Sequence, residues 1–291
     1  MTSTKLDIDF AELFQGRTDA VGLWSGGCER KPVSIQDFTN HLNGSKPIGI
    51  YPLTQDSTVR WGCSDIDVPD LEAARNLQKA FLVKGIHSFI EKTPKGFHIW
   101  VFASEWVAGT TMRRAFLTAH QVIGLPAKEV NPKQEIANDL GNYVRLPYPG
   151  GRVTSAERYF LTIFNNPFPI DQFIPTALMS RVTTKDLQPL ANLWVPPTPP
   201  KYANISLLGD VQAIANKMGG YTTKLWREGP LDGGDRSNVL CRLAYRLHDE
   251  GLNANEAFTV VKDADKRWGK FHSREDGDEQ LLKIVRMAYG E

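Results

Sequence analysis

Asp65 and Asp67 stand one residue apart at the end of a short apolar run, Val59-Arg-Trp-Gly-Cys-Ser-Asp65-Ile-Asp67. Side chains on a strand alternate faces, so these two carboxylates project from one side, close together. Like charges that close repel unless a cation sits between them. Taken alone, the pair also fits the solvated end of an edge strand. The second group is Lys92-Thr93-Pro94-Lys95-Gly96-Phe97-His98, which runs on into Ile99-Trp100-Val101-Phe102. His98, Trp100 and Phe102 share one face of that strand, and Phe97, Ile99 and Val101 share the other. The aliphatic face belongs against helices, so His98 is expected on an open face beside a basic turn. Lysine and imidazole are natural partners of phosphate oxygens, and a glycine lets backbone approach a ligand. The same residues also make an ordinary proline turn with solvated lysines. Two later segments, Glu129-Val-Asn-Pro-Lys133-Gln134 and Gly141-Asn-Tyr-Val-Arg145-Leu-Pro147, each pass singly for a surface loop or a strand start.

The elements that must hold these groups follow from periodicity. Residues 35–42 read as a short helix, and 48–51 and 59–67 as strands. Asp70 and Glu72 suit a helix N-terminus; Leu71, Ala74, Leu77 and Phe81 give its apolar stripe, and Gly85 stops it. Strands at 87–91 and 97–102, a helix over 110–123, and short strands at 129–131 and 143–146 complete the pattern. That order, β-α-β-β-α-β with short connections, predicts a mixed sheet with helices on one face and the other face free for ligands.

The chain has 291 residues, 41% of them hydrophobic, enough for one large domain or two ordinary ones. Trp194-Val-Pro-Pro-Thr-Pro-Pro200 reads as a semi-rigid spacer. It divides an expected first domain over 1–195 from a helical domain over 204–291, with 196–203 as linker. No apolar run approaches a membrane span, and the N-terminus carries no signal-like stretch, so a cytoplasmic location is expected. Three scattered cysteines include no C-x-x-C pair, which argues against a disulfide framework or zinc. The net charge of +1 gives no global field for nucleic acid, so any such partner must be held by a local patch.

In this order the four segments resemble the archaeo-eukaryotic primase superfamily, specifically its primase-polymerase branch common in phages, plasmids and defence islands. Leu13-Phe-Gln-Gly-Arg17 and His41-Leu-Asn-Gly-Ser-Lys-Pro-Ile-Gly-Ile-Tyr-Pro52 also look like the approach to that branch's first motif. The resemblance implies an α+β fold, a primase-polymerase core with an RRM-like sheet followed by a small all-α bundle. It implies a nucleotidyltransferase that makes primers de novo on single-stranded DNA and extends them with NTPs or dNTPs. Asp65 and Asp67 match the metal-binding acids, with Glu129 as the third and Asp139 as its alternative. His98 and Lys95 match phosphate-contacting residues; Thr93, Gly96, Lys133 and Arg145 join them in the nucleotide site. Relatives carry a serine at the position of Lys92, so Thr93 is only the nearest hydroxyl. Two Mg²⁺ or Mn²⁺ ions would serve such chemistry, stabilising entering and leaving oxygens. The resemblance also implies a bacterial host cell and a helicase, fused or in trans.

In the last ninety residues Asp235 suits an N-cap, Leu240, Leu243 and Leu247 form an apolar stripe, and Asn253 to Glu256 a capping box. The segment resembles a primase C-terminal helical domain, which implies template contacts from Arg236, Asn238, Arg242, Arg246, Trp268 and Lys270. Solvated arginines and a core tryptophan are the plain alternatives. Two other functions fit parts of the pattern. One is a non-catalytic module that stacks single-stranded nucleic acid on Trp100 and Phe102. The other is a metal-dependent nuclease.

Overall fold

The computed structural model describes residues 4–66, 70–137, 139–151, 158–196, 205–230 and 234–290. The chain divides into two compact units, Met1–Val195 and Pro196–Glu291. The first unit runs α1 (Lys5–Leu13), β1 (Ala20–Leu23), β2 (Cys28–Arg30), α2 (Ile35–Leu42), β3 (Ile48–Ile50), β4 (Thr58–Ile66), α3 (Leu71–Leu82) and β5 (Phe89–Lys92). It continues with β6 (Phe97–Ala108), α4 (Gly109–Ile123), β7 (Glu129–Asn131), β8 (Val144–Arg145), β9 (Tyr159–Phe160), α5 (Ile170–Met179) and α6 (Thr184–Ala191). The fold is α+β, as expected.

Two sheets form, in the orders β7-β4-β6-β5-β9 and β2-β1-β3-β8. Every pairing between these strands is antiparallel, which corrects the expected mixed sheet. The reason lies in strand order. The crossover through α3 leaves β4 and β5 pointing the same way, but β6 comes between them and runs against both.

The expected open face is also corrected, because both faces of the five-stranded sheet are covered. On one face Ile99 and Val101 pack with Leu77 and Phe81 of α3, Phe116 of α4 and Leu187 of α6. On the other, Trp61, Trp100 and Phe102 lie under Phe14 at the end of α1, Phe173 of α5 and Ile50 of the second sheet. Trp100 is 0% exposed and Phe102 1%, so neither can stack a base. Aromatic rings that large supply core area before they supply a binding surface.

His41 ties the second sheet together from inside. Its Nε2–H donates to Pro147 O at 2.8 Å, and its Nδ1 accepts from the Ile48 N–H at 3.1 Å. Burial, with help from Arg158, pushes its pKa down to about 4 against the opposing pull of Glu91 and Pro147 O. The unfolded chain therefore binds a proton that the folded chain refuses. His41 is expected to contribute stability that is full above about pH 6.5 and is lost as pH falls towards 4. The loss reaches about 3 kcal/mol. Urea unfolding of wild type and His41→Gln across pH 4–7 checks this: the variant should be less stable at pH 7 and show a shallower slope. An equal slope in both would assign the pH dependence to other groups.

The second unit is helical: α7 (Val211–Ala215), α8 (Gly220–Glu228), α9 (Arg236–Asp249), α10 (Ala254–Trp268) and α11 (Gly277–Ala288). Asp235 caps α9 through the Ser237 N–H. Asn253 and Glu256 form a capping box on α10, and Gly269 ends it with φ 68°. Leu240, Leu243 and Leu247 are buried against α10 and α11. Among the described residues no helix is long and apolar enough to cross a membrane.

Candidate active site

The antiparallel register sets four polar residues in one row across the five-stranded sheet. Glu129 of β7 faces Asp65 of β4, Asp65 faces His98 of β6, and His98 faces Glu91 of β5. Directly opposed residues project to the same face, with Cβ atoms about 4.5–5.5 Å apart. The row lies one step beyond the Cys63–Trp100 pair, where the aromatic cover ends. Burial changes along it: Glu91 is fully buried and His98 nearly so, while the Asp65 and Glu129 side chains are 25% and 36% exposed.

Each member is pinned from behind. The Ser64 hydroxyl donates to His120 Nε2 at 2.7 Å, and His120 Nδ1–H donates to Leu125 O at 3.1 Å, tying β4 to the end of α4. Burial lowers the His120 pKa, which keeps this strut neutral. Arg113 of α4 donates to Val130 O and Pro132 O, at 2.7 and 2.9 Å, and fixes the backbone beside Glu129. The β5–β6 hairpin closes over Thr93–Gly96: the Thr93 N–H donates to Gly96 O, and the Gly96 N–H to Thr93 Oγ1, both at 3.0 Å. Thr93 therefore shapes the turn, though an accepting hydroxyl keeps its own proton to donate.

His98 sits between charges. Its Nε2 lies 3.4 Å from Asp65 Oδ1 and its Nδ1 3.0 Å from Glu91 Oε2. Burial, and more weakly Arg158, would lower its pKa, but Cys63 and Glu91, with the contact to Asp65, outweigh them and hold it well above the ordinary histidine value. Glu91 accepts from Arg158 Nε at 2.6 Å and from Trp100 Nε1 at 2.7 Å. Burial raises its pKa, yet Arg158 and His98 more than offset this and hold it at about 2.

The other expected site residues are placed as follows. Glu129 forms an ion pair with Lys133 at 2.9 Å, so Lys133 reaches the end of the row. Lys95 is exposed on the hairpin turn. Asp139 is not in the row; it pairs with Arg30 of β2 at 3.0 Å. Arg145 belongs to the other sheet, opposite Gly49, where it donates to Trp24 O at 2.8 Å and lies 5.4 Å from the Trp24 ring. Asp67 lies outside the described residues. Among the described residues no three metal-ligating side chains form a cluster.

In the second unit, Asn238 and Arg242 line a groove of about 620 Å³ between α8 and α9, with Tyr221 and Lys224 on its other wall. Arg242 donates to the Tyr221 hydroxyl at 2.8 Å, and Arg246 lies 4.7 Å from the Tyr221 ring. Arg236 is turned to the end of α10, donating to Trp268 O and Gly269 O. Trp268 is half-buried and packs on Gly229, where an added Cβ would come within 2.5 Å of its Nε1. Lys270 lies beside the Phe271 ring.

The family described as "TOTE conflict system, Archaeo-Eukaryotic Primase domain" matches residues 26–190, more than half of the chain and the whole row described above. The chain belongs to the archaeo-eukaryotic primases. A solved structure described as that of primase RepB' is similar over 99% of this chain and 94% of its own, at 14% identity and a TM-score of 0.33. No curated protein matches the chain. Membership in the primases makes nucleic acid and nucleotides the expected substrates. Glu91 and Arg158, which adjoin His98 in this row, are residues that the motifs did not single out. Closing the hairpin over a four-residue turn would have set Glu91 opposite His98.

Proposed function

We propose that this primase is a DNA-dependent primase-polymerase that makes primers de novo on single-stranded DNA and extends them. The observation that carries the reading is the in-register row Glu129–Asp65–His98 at the open end of the sheet. Two carboxylates with their side chains partly exposed on one face are hard oxygen donors, and they fit Mg²⁺ or Mn²⁺, which take one or two carboxylates and complete their shell with water and phosphate. Asp65 and Glu129, with Asp67, would hold the metal. When bound, such ions neutralise charge that develops on the reacting phosphate and its leaving group. His98 offers an N–H from the row itself. Lys95 on the turn and Lys133 beside Glu129 supply positive charge for the triphosphate tail. Thr93 and Gly96 hold that turn in shape. Arg145 would contribute from the second sheet. No protein nucleophile is needed, because positioning and electrostatics carry phosphoryl transfer.

The second unit is assigned to the template. Arg242 and Asn238 in the α8–α9 groove are the leading contacts; Arg236 and Trp268 act chiefly by holding the end of α10. The resemblance sets this activity in phage or plasmid replication with a helicase partner, whereas the matched family's description names a conflict system. The same chemistry serves either setting.

The test is a priming assay on single-stranded DNA with labelled NTPs or dNTPs, with and without Mg²⁺ or Mn²⁺. Metal-dependent products longer than a dinucleotide are expected, and a labelled primer should lengthen. Shortening of that primer would replace this reading with a nuclease. No incorporation under any metal, with binding of single-stranded DNA retained, would replace it with a binding module.

A further inference from the structure

Glu91 is a carboxylate placed where carboxylates are least stable, fully buried behind an aromatic core. All its contacts lead to one place. Arg158 Nε and Trp100 Nε1 donate to its two oxygens, and the second of these oxygens lies 3.0 Å from His98 Nδ1. Arg158, 8% exposed, also brings an NH2 nitrogen within 2.9 Å of that same Nδ1. The opposite edge of the ring, Nε2, faces Asp65, where exposure begins. An imidazole can turn over about its last torsion and exchange its two edges. Here a buried ion pair grips one edge only.

The two contacts at Nδ1 use different protons. Nδ1 can accept from Arg158 or donate to Glu91, but not both. In either arrangement the Nε2 edge is the one left to donate, because the Asp65 carboxylate oxygen it faces at 3.4 Å serves as the acceptor. We propose that Glu91 and Arg158 are positioning residues that clamp His98 through Nδ1, so that its Nε2–H edge is presented to the Asp65–Glu129 carboxylates and to a phosphate oxygen of the incoming nucleotide. The role in nucleotide binding rests on the primase-polymerase reading; the clamp itself rests on the contacts alone. Outer partners of this kind commonly orient a site histidine, and their removal weakens function by about 10–100-fold.

The test uses the double variant Glu91→Gln with Arg158→Met, which removes both buried charges together and leaves neither unpaired. The single Glu91→Gln would strand the Arg158 charge and can fail to fold. Ring ¹⁵N spectra of histidine-labelled protein, assigned by loss of a signal in His98→Ala, report the ring without needing activity. Wild type is expected to show one His98 form, with Nε2 protonated and the ring in a single orientation, whether or not Nδ1 also carries a proton towards Glu91. The double variant is expected to show exchange between tautomers or ring orientations at an unchanged melting profile. Identical His98 signals in the two proteins would overturn the clamp.

Kinetics then test its purpose. The nucleotide KM should rise about 10–100-fold in the double variant, with primer–template affinity unchanged. Adding His98→Ala should cause no further loss, whereas independent effects would multiply. Multiplying effects would overturn the clamp's role in nucleotide binding. A confirmed ring signature in a wild type that incorporates nothing would sink the polymerase reading and leave the clamp standing.

Discussion

Glu129→Gln and Asp65→Asn are each expected to reduce nucleotide incorporation by about 10²–10³-fold, and Asp139→Asn to leave it within about twofold. The contrast follows from register. Asp65 and Glu129 are opposed residues on neighbouring strands, which puts their Cβ atoms about 4.5–5.5 Å apart on one face, the placement the proposed shared ion needs. Asp139 spends its charge on Arg30 at the edge of the other sheet, in a pair with both side chains mostly exposed. Such pairs add little to stability, so Asp139→Asn should also leave the melting temperature unchanged. The amides at 65 and 129 are near-isosteric and partly solvated, so folding should survive there too. Lys133 loses its partner in Glu129→Gln, but it is itself substantially exposed. Incorporation and thermal unfolding measured on the same preparations separate lost chemistry from lost structure. Inactive Asp139→Asn beside active Glu129→Gln would move the third acid to position 139.

Much of this site was legible because strands have a period of two. Asp65, His98 and Glu129 each fall on a strand by periodicity, and the order of the four segments carries the resemblance to their family. Several boundaries are legible too: Ile35–Leu42, Gly109–Ile123 and Glu129–Asn131 lie at or within a residue of where periodicity places them. What stayed hidden was pairing and cover. The sequence pattern assigns faces within a strand but not which strand lies beside it, so Glu91 passed for an ordinary strand residue. For the same reason the pattern does not show that Arg145 lies on a different sheet from the row. β1 and β2 went unread because Ala20–Leu23 and Cys28–Arg30 are short and pair across a glycine turn. The cover over Trp100 could not be read because it is assembled from α1, α5 and the second sheet, far away in sequence.

The cover carries its own prediction. Trp100→Ala is expected to destabilise the first unit by about 3–5 kcal/mol, the range for deleting a large buried aromatic side chain. Trp100 is fully buried, stacks on Phe102 at 6.0 Å, and meets Trp61 at 5.0 Å and Phe14 edge-on at 5.4 Å. It is also one of the donors to Glu91, so its loss leaves a buried carboxylate oxygen with one partner fewer. Trp100→Phe separates the two effects. It keeps most of the aromatic packing and removes the N–H, and leaving a buried acceptor short of its donor costs about 1–3 kcal/mol. Urea unfolding of both variants should therefore rank them in that order, with Trp100→Ala the less stable. An exposed stacking platform makes the opposite demand: Trp100→Ala would then leave stability within about 0.5 kcal/mol of wild type, as surface substitutions do, while weakening single-stranded DNA binding. Stability unchanged and binding lost would restore the open face. Stability lost with binding retained at denaturant-free concentrations would place Trp100 in the core, where its work is to hold Glu91 behind His98.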